Sequence, residues 1–570
     1  MKKKYFICSL LFGTLLASCV SSPSEGSSSK EEPSSEETSH IKEETSSSST
    51  SSQTKEETSS EENTLNSFFF DSSFSSEGDG SKEKPFSSLS SISKLSLSGG
   101  EKILLKKGSS FLGDFSLKDI HGSKEKPIII SSYGDGNRPK IIGQNKLGDG
   151  VLSISNCSYI TVEGLEISDS NQTEGDRRGV LINLTNPNGD DLITYSSIHL
   201  NDLYIHDIYG ISDKENAGMS IESKKTGGIL LWSEDGKARS DDLRITNCQI
   251  ENVSNVGIAS FYQLKGKSVK KVSPYDDSFK NVAHTNLLIE NNEISYVAKN
   301  AIFLRNAYNS VIRNNIVHDT ATTCKAGNSI VTSYVDEILV EKNEGYRNMA
   351  SLQSNGLLQD GAMLDPDLQS KKVIFQYNYS HDNSFGLFLN CNAQNKGDPG
   401  AKDEIILRYN VSINDYGQKG LVYVNYYVGK IECYNNTFIS NYMSSPNLLE
   451  VKDNRNLDYY NNLIYSSSFS SKMSLGNQSN LNLTNNVFYS LEAIDGLSSL
   501  GKNFSFNPNP KTLCGDNIEE RVGYEEAKKC IIMKNEELFK KENCITISSH
   551  PKDFLGKEYK ESIGAVNSLE

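Results

Sequence analysis

Several common functional motifs are missing from this 570-residue sequence. It has no Cys-x-x-Cys pair, no His-Glu-x-x-His segment and no phosphate-binding loop, so the usual sequence signs of zinc, redox and nucleotide chemistry are absent. Lys and Arg number 58 against 73 Asp and Glu, and the net charge is −15. A nucleic-acid partner is therefore not expected, because phosphate contacts need clustered cations. Trp occurs once and Pro 13 times, whereas the 42 Gly favour a chain with many turns.

The N-terminus carries the longest apolar segment. Lys2, Lys3 and Lys4 precede an apolar run over 5–16, which is too short to span a bilayer comfortably. The run ends in Leu-Ala-Ser-Cys19, which resembles a bacterial lipobox and implies that Cys19 is lipidated; the alternative is an ordinary secretion signal with a chance cysteine. We expect a signal peptide over 1–18 and an extracytoplasmic protein anchored to the bacterial cell membrane by this lipid alone.

Residues 20–63 hold 17 Ser, 11 Glu and 3 Lys and almost no apolar side chains. Such a segment cannot offset the entropy lost on ordering. We interpret 19–66 as a disordered tether, similar to the linkers of Gram-positive surface lipoproteins. Most of the remaining chain, 67–510, is expected to form one elongated domain, and 511–570 a small C-terminal capping region.

One phrase recurs along the body of the chain: a short alternating strand, one or two Asn, and another short strand. The last Asn of each phrase falls at 292, 315, 343, 378, 410, 436, 462 and 486. The repeated spacing of these Asn residues predicts a solenoid of stacked coils. Leucine-rich repeats need denser Leu, and propeller blades need about 40 residues. We therefore predict an all-β, right-handed parallel β-helix in which stacked Asn side chains form a structural ladder.

Other segments fit the ends and sides of such a solenoid. Phe86–Leu97 has Leu and Ile near helical spacing and is expected to form an N-terminal helical cap, and helical stretches are expected at 524–530 and 535–541. The segments 169–190, 212–226 and 262–285 are expected to be loops on the functional side. Cys157, Cys248, Cys391 and Cys433 are expected to be buried thiols, and one bridge could form among Cys514, Cys530 and Cys544.

The two ends of the domain resemble those of a known superfamily. Asp-Gly-Ser-Lys-Glu-Lys-Pro-Phe at 79–86, the segment 122–136 and the closing segments 553–556 and 563–565 look like the opening and close of bacterial right-handed β-helix proteins of the pectate-lyase-like superfamily. The resemblance implies this fold over 77–566. It leaves the reaction open, because the superfamily includes lyases, hydrolases, epimerases and binding proteins. The motif set of polygalacturonases and the Arg signature of pectate lyases are missing, which argues against pectin.

Strands that begin with a small residue, such as those at 301–305 and 386–390, suggest a sugar-binding groove. Strand alternation predicts that Phe303, Phe388, Arg305 and Asn390 point outward. Aromatic faces suit sugar rings, and polar groups suit hydroxyls or carboxylates. We predict that these four residues and Asp367 bind substrate.

The densest polar phrase is Gln359-Asp-Gly-Ala-Met-Leu-Asp-Pro-Asp367. Asp360 and Asp365 are the candidate acid/base or nucleophile pair that glycoside hydrolysis requires; calcium binding or simple turn capping are alternatives. His381 is a further candidate base. His-Asp recurs at 206–207, 318–319 and 381–382, which favours a packing role for the His and a turn for the Asp.

These features predict a cell-surface, polysaccharide-degrading enzyme, either a glycoside hydrolase or a polysaccharide lyase. A lyase would need a base and often Ca²⁺. The alternative is a non-catalytic glycan-binding protein or adhesin. We expect a monomer whose partners are a polysaccharide substrate and, through the lipid anchor, the membrane.

Overall fold

The computed structural model describes residues 66–567 except 145, 187–188, 190, 217, 219, 234–235, 263–271, 325, 351–359, 442–445, 453–454, 468–470, 478, 491–500, 513, 515–516, 548–551 and 559. These residues belong to one compact unit, Asn63–Glu570. The predicted signal peptide, Cys19 and almost all of the predicted tether lie outside the described residues.

Three long sheets make up the described chain. Sheet 1 contains β1 Ser67–Phe70, β2 Lys102–Lys106, β5 Ile128–Tyr133, β8 Ile160–Glu163, β11 Ile193–Asn201, β14 Ala238–Thr246, β17 His284–Thr285, β18 Leu288–Glu290, β21 Ala307–Arg313, β24 Val335–Glu341, β27 Ser370–Gln376, β30 Glu404–Arg408, β33 Lys430–Tyr434, β36 Leu457–Tyr460 and β39 Leu481–Thr484. Sheet 2 contains β3 Ser110–Leu112, β6 Lys140–Gly143, β9 Glu166–Asp169, β12 Tyr204–Ile208, β15 Gln249–Val253, β19 Glu293–Val297, β22 Ile316–Thr320, β25 Glu344–Tyr346, β28 Tyr379–His381, β31 Val411–Ile413, β34 Thr437–Ser440, β37 Leu463–Ser466 and β40 Val487–Tyr489. Sheet 3 contains β4 Phe115–Lys118, β7 Gly150–Ser155, β10 Arg178–Leu184, β13 Gly227–Ser233, β16 Val256–Tyr262, β20 Asn300–Arg305, β23 Ile330–Ser333, β26 Ala362–Pro366, β29 Gly386–Asn390, β32 Val422–Val424, β35 Asn447–Val451 and β38 Lys472–Leu475.

The helices are short. The α-helices are Ile221–Lys224, Phe279–Val282 and Tyr524–Cys530, and the 3₁₀ helices are Leu89–Lys94, Lys214–Asn216, Pro399–Lys402, Ile518–Glu520, Glu536–Phe539 and Lys541–Asn543.

Each coil passes through sheets 1, 2 and 3 in turn, and each strand pairs in parallel with its counterpart in the next coil. On sheet 3 this register stacks apolar side chains into an interior column; its members are Ile258, Ile302, Ile330, Leu364, Phe388 and Val422. All six are at most 2 % exposed. Each coil therefore buries its apolar side chains against its neighbours, and the prediction of a parallel β-helix is confirmed.

The predicted Asn ladder is confirmed. Each side-chain amide from Asn292 to Asn462 donates to the next ladder Asn at 2.9–3.1 Å. Asn503, which the repeat phrase does not reveal, accepts from Asn486 at 3.0 Å and ends the ladder. From Asn292 to Asn486, the left-handed bend falls on the residue before each ladder Asn, and in three coils this residue is Lys342, Tyr377 or Tyr409. Residues other than Asn can therefore form the bend, whereas the ladder position requires Asn for its side-chain amide.

Removing one amide from the middle of the ladder should destabilise the whole coil. Asn378 is fully buried; its Oδ1 accepts from the backbone and side chain of Asn343 at 3.1 and 3.0 Å. Asn378→Ala leaves those donors without this acceptor, and we expect a loss of about 1–3 kcal/mol in the free energy of unfolding. Urea denaturation measures it. Asn281→Ala, at an exposed position of the helix Phe279–Val282, should be nearly neutral; equal effects would contradict a stabilising ladder.

The ends follow the sequence-based expectations, with some differences. The N-terminal cap is the 3₁₀ helix Leu89–Lys94, whose Leu89 and Ile92 are buried in the first coils. The predicted helices at the other end are the α-helix Tyr524–Cys530 and two 3₁₀ helices over 536–543. The bridge is Cys514–Cys530. Among the residues expected to be buried thiols, Cys157, Cys248 and Cys433 are buried and Cys391 is half-buried.

The predicted loop 169–190 is wrong in part, because β10 runs through it. Six of the seven residues of β10 are buried, since a strand of sheet 3 is covered on both faces here and shows no alternation. The predicted loops 212–226 and 262–285 do flank sheet 3, within the connections 209–226 from sheet 2 to sheet 3 and 263–283 from sheet 3 to sheet 1. They are not loops throughout, because they contain the helices Ile221–Lys224 and Phe279–Val282 and the strand β17.

Candidate active site

Three carboxyl groups meet on the outer face of sheet 3, at and around β26. Asp360 precedes this strand, Asp365 lies in it and Asp367 follows it. In the register of sheet 3, Asp365 pairs with Val331, which pairs with Phe303, so these residues form an outward row parallel to the interior column. The site is therefore mounted on paired strands rather than on a free loop.

Asn328 fixes the geometry of this phrase. Its amide nitrogen donates to Asp365 Oδ2 at 2.7 Å, and its amide oxygen accepts from the backbone nitrogens of Gly361 and Ala362, both at 2.9 Å. The backbone of Asp367 donates to Thr332 on the neighbouring strand at 2.8 Å. The buried side-chain amide of Asn328 thus connects the start of β26 to the carboxyl group of Asp365.

The three carboxyl groups differ in their access to solvent. Asp365 is 5 % exposed, and its Oδ1 has no hydrogen-bond partner within the described residues. Asp360 and Asp367 stay half-buried. Two carboxyl groups can therefore reach a substrate, and the third lies beneath them.

Burial, followed by the charges of Asp367 and Asp360, holds the pKa of Asp365 well above its usual range. Burial also raises the pKa of Asp367, against the opposing effect of its backbone hydrogen bond and of the Lys224 and Arg305 cations. Burial thus raises the pKa of both carboxyl groups, and nearby cations oppose the rise at Asp367. Glycoside hydrolysis needs one protonated and one ionised carboxyl group, and carboxyl groups with shifted pKa values suit that chemistry.

Cations approach the carboxyl groups from the upstream coils. Arg305 is half-buried, with its guanidinium carbon 4.8 Å from the ring centre of Tyr334 and 5.9 Å from that of Phe261. The charge of Arg305 acts to lower the pKa of Asp367, and substrate binding by Arg305 stays a prediction. Lys224, which sequence reasoning missed, comes from the insertion 209–226; the only signal for it was the length of that insertion.

Phe303 and Phe388, the two aromatic residues predicted to bind substrate, lie on opposite faces of sheet 3. Phe303 does face outward, but it is 3 % exposed and packs edge-on against Phe261 at 5.4 Å. The outward prediction for Phe388 and Asn390 is wrong: both are fully buried, in register with Val422 and Val424. The reason is a shift of one residue between coils. Ile302, one residue after Ala301, points inward, and its counterpart in the later coil is Phe388, two residues after Gly386. A shift of one residue exchanges the two faces of a strand.

The prediction of His381 as a base in the groove is also wrong. His381 lies in β28 of sheet 2 and is fully buried. Its ring nitrogens lie 2.7 Å from Asp382 and 3.1 Å from Glu344, and its ring stacks 4.6 Å from Tyr346 and from Tyr379. The packing alternative is confirmed. The Asp of each His-Asp pair has a positive φ of 51–55°, which confirms the turn.

A buried polar network supports the turn that follows Asp367. The backbone nitrogen of Gln369 donates to Asn392 Oδ1 at 3.1 Å, and Asn392 donates in turn to Asp403. Tyr275, from the long insertion 263–283, also donates to Asp403. The network joins this insertion to the turn two residues beyond Asp367.

The Asp403 carboxyl group should make stability depend on pH. Burial raises its pKa from 3.8 to about 7. Between these values the folded chain holds a proton that the unfolded chain releases, so stability falls by about 1.4 kcal/mol per pH unit as pH rises. Its contribution is full below pH 3.8 and lost by about pH 7. Asp403→Asn cannot titrate, so we expect its melting temperature to fall less than that of the wild type between pH 4 and pH 8. Melting temperatures of the wild type and Asp403→Asn that change in parallel with pH would contradict this. The control is Asp135→Asn, at an exposed position.

Over the described residues, no group of three or more His, Cys, Asp or Glu side chains is arranged to hold a metal ion. The Ca²⁺ prediction, which applied only to a lyase, stays a prediction. Among the same residues, no helix has the length and apolarity needed to cross a membrane.

Comparison with known proteins places this geometry in context. The family model for the right-handed beta helix region matches residues 240–399. Lacto-N-biosidase of Bifidobacterium longum subsp. longum is 26% identical over 408 residues, which are 59% of this chain and 25% of that protein. The chain thus spans about a quarter of the length of this curated relative.

Two solved structures of GH136 lacto-N-biosidase from Eubacterium ramulus share the fold. The native structure has a TM-score of 0.53 at 23% identity and covers 66% of this chain and 64% of that chain. The selenomethionine derivative has a TM-score of 0.52 at 21% identity and covers 77% and 68%. Together with the three parallel sheets, these matches show that the chain has the right-handed parallel β-helix fold.

Proposed function

We propose that this protein is a glycan-degrading enzyme, and specifically a glycoside hydrolase. The observation that carries the proposal is the group of three carboxyl groups at β26, two of which, Asp360 and Asp367, are open to solvent. Both common mechanisms of glycoside hydrolysis use one carboxyl group as acid and another as nucleophile or base. The likeness to lacto-N-biosidases supports the same reaction class.

Solvent access favours Asp360 and Asp367 as the reacting pair, because both are half-buried and can touch a substrate. Burial raises the pKa of Asp367, and the cations Lys224 and Arg305 oppose that rise. Between them, these two residues supply the acid and the nucleophile or base. Asp365, neutral beneath them, adds no like charge and holds the phrase in place through Asn328. This modifies the Asp360–Asp365 pair predicted from the sequence.

The names of the relatives suggest the substrate. We propose that the chain acts on glycans that contain lacto-N-biose. The test is a panel of oligosaccharides and polysaccharides, with a chromogenic aryl lacto-N-bioside, assayed for reducing ends and for unsaturated products by UV absorbance. New reducing ends without unsaturation support the hydrolase. Unsaturated products would indicate a lyase, and binding without cleavage would indicate the non-catalytic glycan-binding protein.

We also propose that Cys19 anchors the enzyme to the outer side of the cell membrane. The lipobox-like ending at Cys19 and the Ser/Glu-rich segment that follows it support this. In cells fed a labelled fatty acid, the wild-type protein should carry label and sediment with membranes, whereas Cys19→Ala should do neither. Label on the variant, or an unlabelled wild type, would contradict the anchor.

A further inference from the structure

A recess lies at the strand ends of sheet 3 that also carry Asp367, toward the C-terminal coils. It is a cavity of about 590 Å³, and its wall includes Asn425, Tyr427, Lys452, Arg455 and Ser474. Small-molecule sites commonly enclose about 300–1,000 Å³. The size is therefore that of a ligand site, and neither the proposed reaction nor the carboxyl groups account for it.

Strand order connects the recess to the carboxyl groups. Asp367 follows β26, Asn425 follows β32 and Lys452 follows β35, and the sheet runs β26, β29, β32, β35 without a break. Residues at the same end of successive parallel strands form one row along the helix. With strands about 4.8 Å apart, Lys452 lies roughly 14 Å from Asp367 along that row. A glycan that extends along the row from the reaction centre would reach the recess.

The chemistry of the wall suits a sugar ring. The guanidinium carbon of Arg455 lies 3.8 Å from the ring centre of Tyr427, and its Nε donates to the Asn425 carbonyl. Tyr427 is half-buried, and Lys452 is exposed and paired with Glu450 at 2.5 Å. Aromatic surface offers contact to the C–H face of a sugar, and amide, hydroxyl, ammonium and guanidinium groups offer partners to its hydroxyls.

We propose that this recess is a remote glycan subsite, which binds a sugar unit several residues away from the bond that is cleaved. The inference rests on the proposed function and extends it, because it makes the enzyme selective for chain length. Oligosaccharides long enough to occupy both places are then the preferred substrates.

The test compares a short and a long substrate. For Tyr427→Ala, and independently for Arg455→Ala, we expect kcat/KM on a hexasaccharide containing lacto-N-biose to fall about tenfold, through KM, the size expected for one lost aromatic or cation–π contact. The value for the aryl lacto-N-bioside should not change. The control is Tyr308→Ala on sheet 1, where Lys280 lies 4.5 Å from the ring centre; it removes a similar stacked pair far from the recess and should leave both substrates unaffected.

Binding separates this inference from the proposed function. Calorimetry of the hexasaccharide with the full-length wild type and Tyr427→Ala needs no turnover, and we expect the variant to bind about tenfold more weakly. Equal loss on both substrates, no loss on the hexasaccharide, or unchanged binding by both variants would overturn the subsite. Absence of cleavage by the wild type would overturn only the hydrolase. Melting temperatures check that each variant is folded.

Discussion

Asp367→Asn should lower kcat/KM on a cleaved glycan by about 10³-fold, and Asp360→Asn should have a comparable effect. Each substitution keeps the size of the side chain and removes a carboxyl group that can reach the substrate. Asp365→Asn should stay within about tenfold of the wild type, because Asp365 is already held neutral by its buried position. Its Asn oxygen can still accept the hydrogen bond from Asn328. Initial rates with the aryl lacto-N-bioside, or with the best substrate of the panel, measure all three.

The test compares the activities of the three variants. A large loss in Asp365→Asn with an active Asp367→Asn would restore the pair predicted from the sequence and refute the assignment by solvent access. Added azide can restore cleavage to a variant that lacks its nucleophile, so rescue of Asp367→Asn and not of Asp360→Asn would identify Asp367 as that nucleophile. Three variants with full activity would remove the basis of the proposed hydrolase.

The sequence predicts the fold because its strongest signal, one Asn per coil from Asn292 to Asn486, also bonds successive coils to one another. These residues give both the period and the amide ladder, so a repeat found by counting leads directly to a parallel β-helix. Cys514–Cys530 is different: three cysteines lie close in sequence, and only the packing of the helix Tyr524–Cys530 decides which of them pair.

The site is predicted in part, for a physical reason that concerns sheet 3. The phrase at 360–367 is recognisable because it places three carboxyl groups within eight residues of the repeat region. The residues around it depend on which side of a strand faces outward. In sheet 3 both sides are covered, so inward Phe388 and outward Phe303 have the same hydrophobic character and similar burial. Lys224 comes from another coil through an insertion, and no local pattern links it to Asp367.

Arg521→Leu should destabilise the protein by about 3–5 kcal/mol, the cost of leaving a buried charge without its partner. Arg521 is fully buried in the C-terminal region, and its Nη2 donates to Asp382 Oδ1 at 2.7 Å. Burial alone would raise the pKa of Asp382, but hydrogen bonds from His381 and Arg521 hold it below its usual value. The folded state therefore depends on an ionised Asp382. Urea denaturation at pH 7 measures the loss.

Two further variants show whether the missing partner, rather than lost packing, is responsible. Arg521→Leu combined with Asp382→Asn removes both charges, and we expect it to recover part of the stability that the single variant loses. Arg138→Leu breaks a salt bridge to Asp202 in which both side chains are at least 40% exposed, and it should change stability by less than about 1 kcal/mol. Because the low pKa of Asp382 means that its stabilising charge is present above its unfolded pKa and lost as pH falls, the gap between the wild type and Arg521→Leu should narrow in acid. A gap that is constant from pH 7 to pH 3, or a double variant no more stable than Arg521→Leu, would show that Arg521 acts through packing alone.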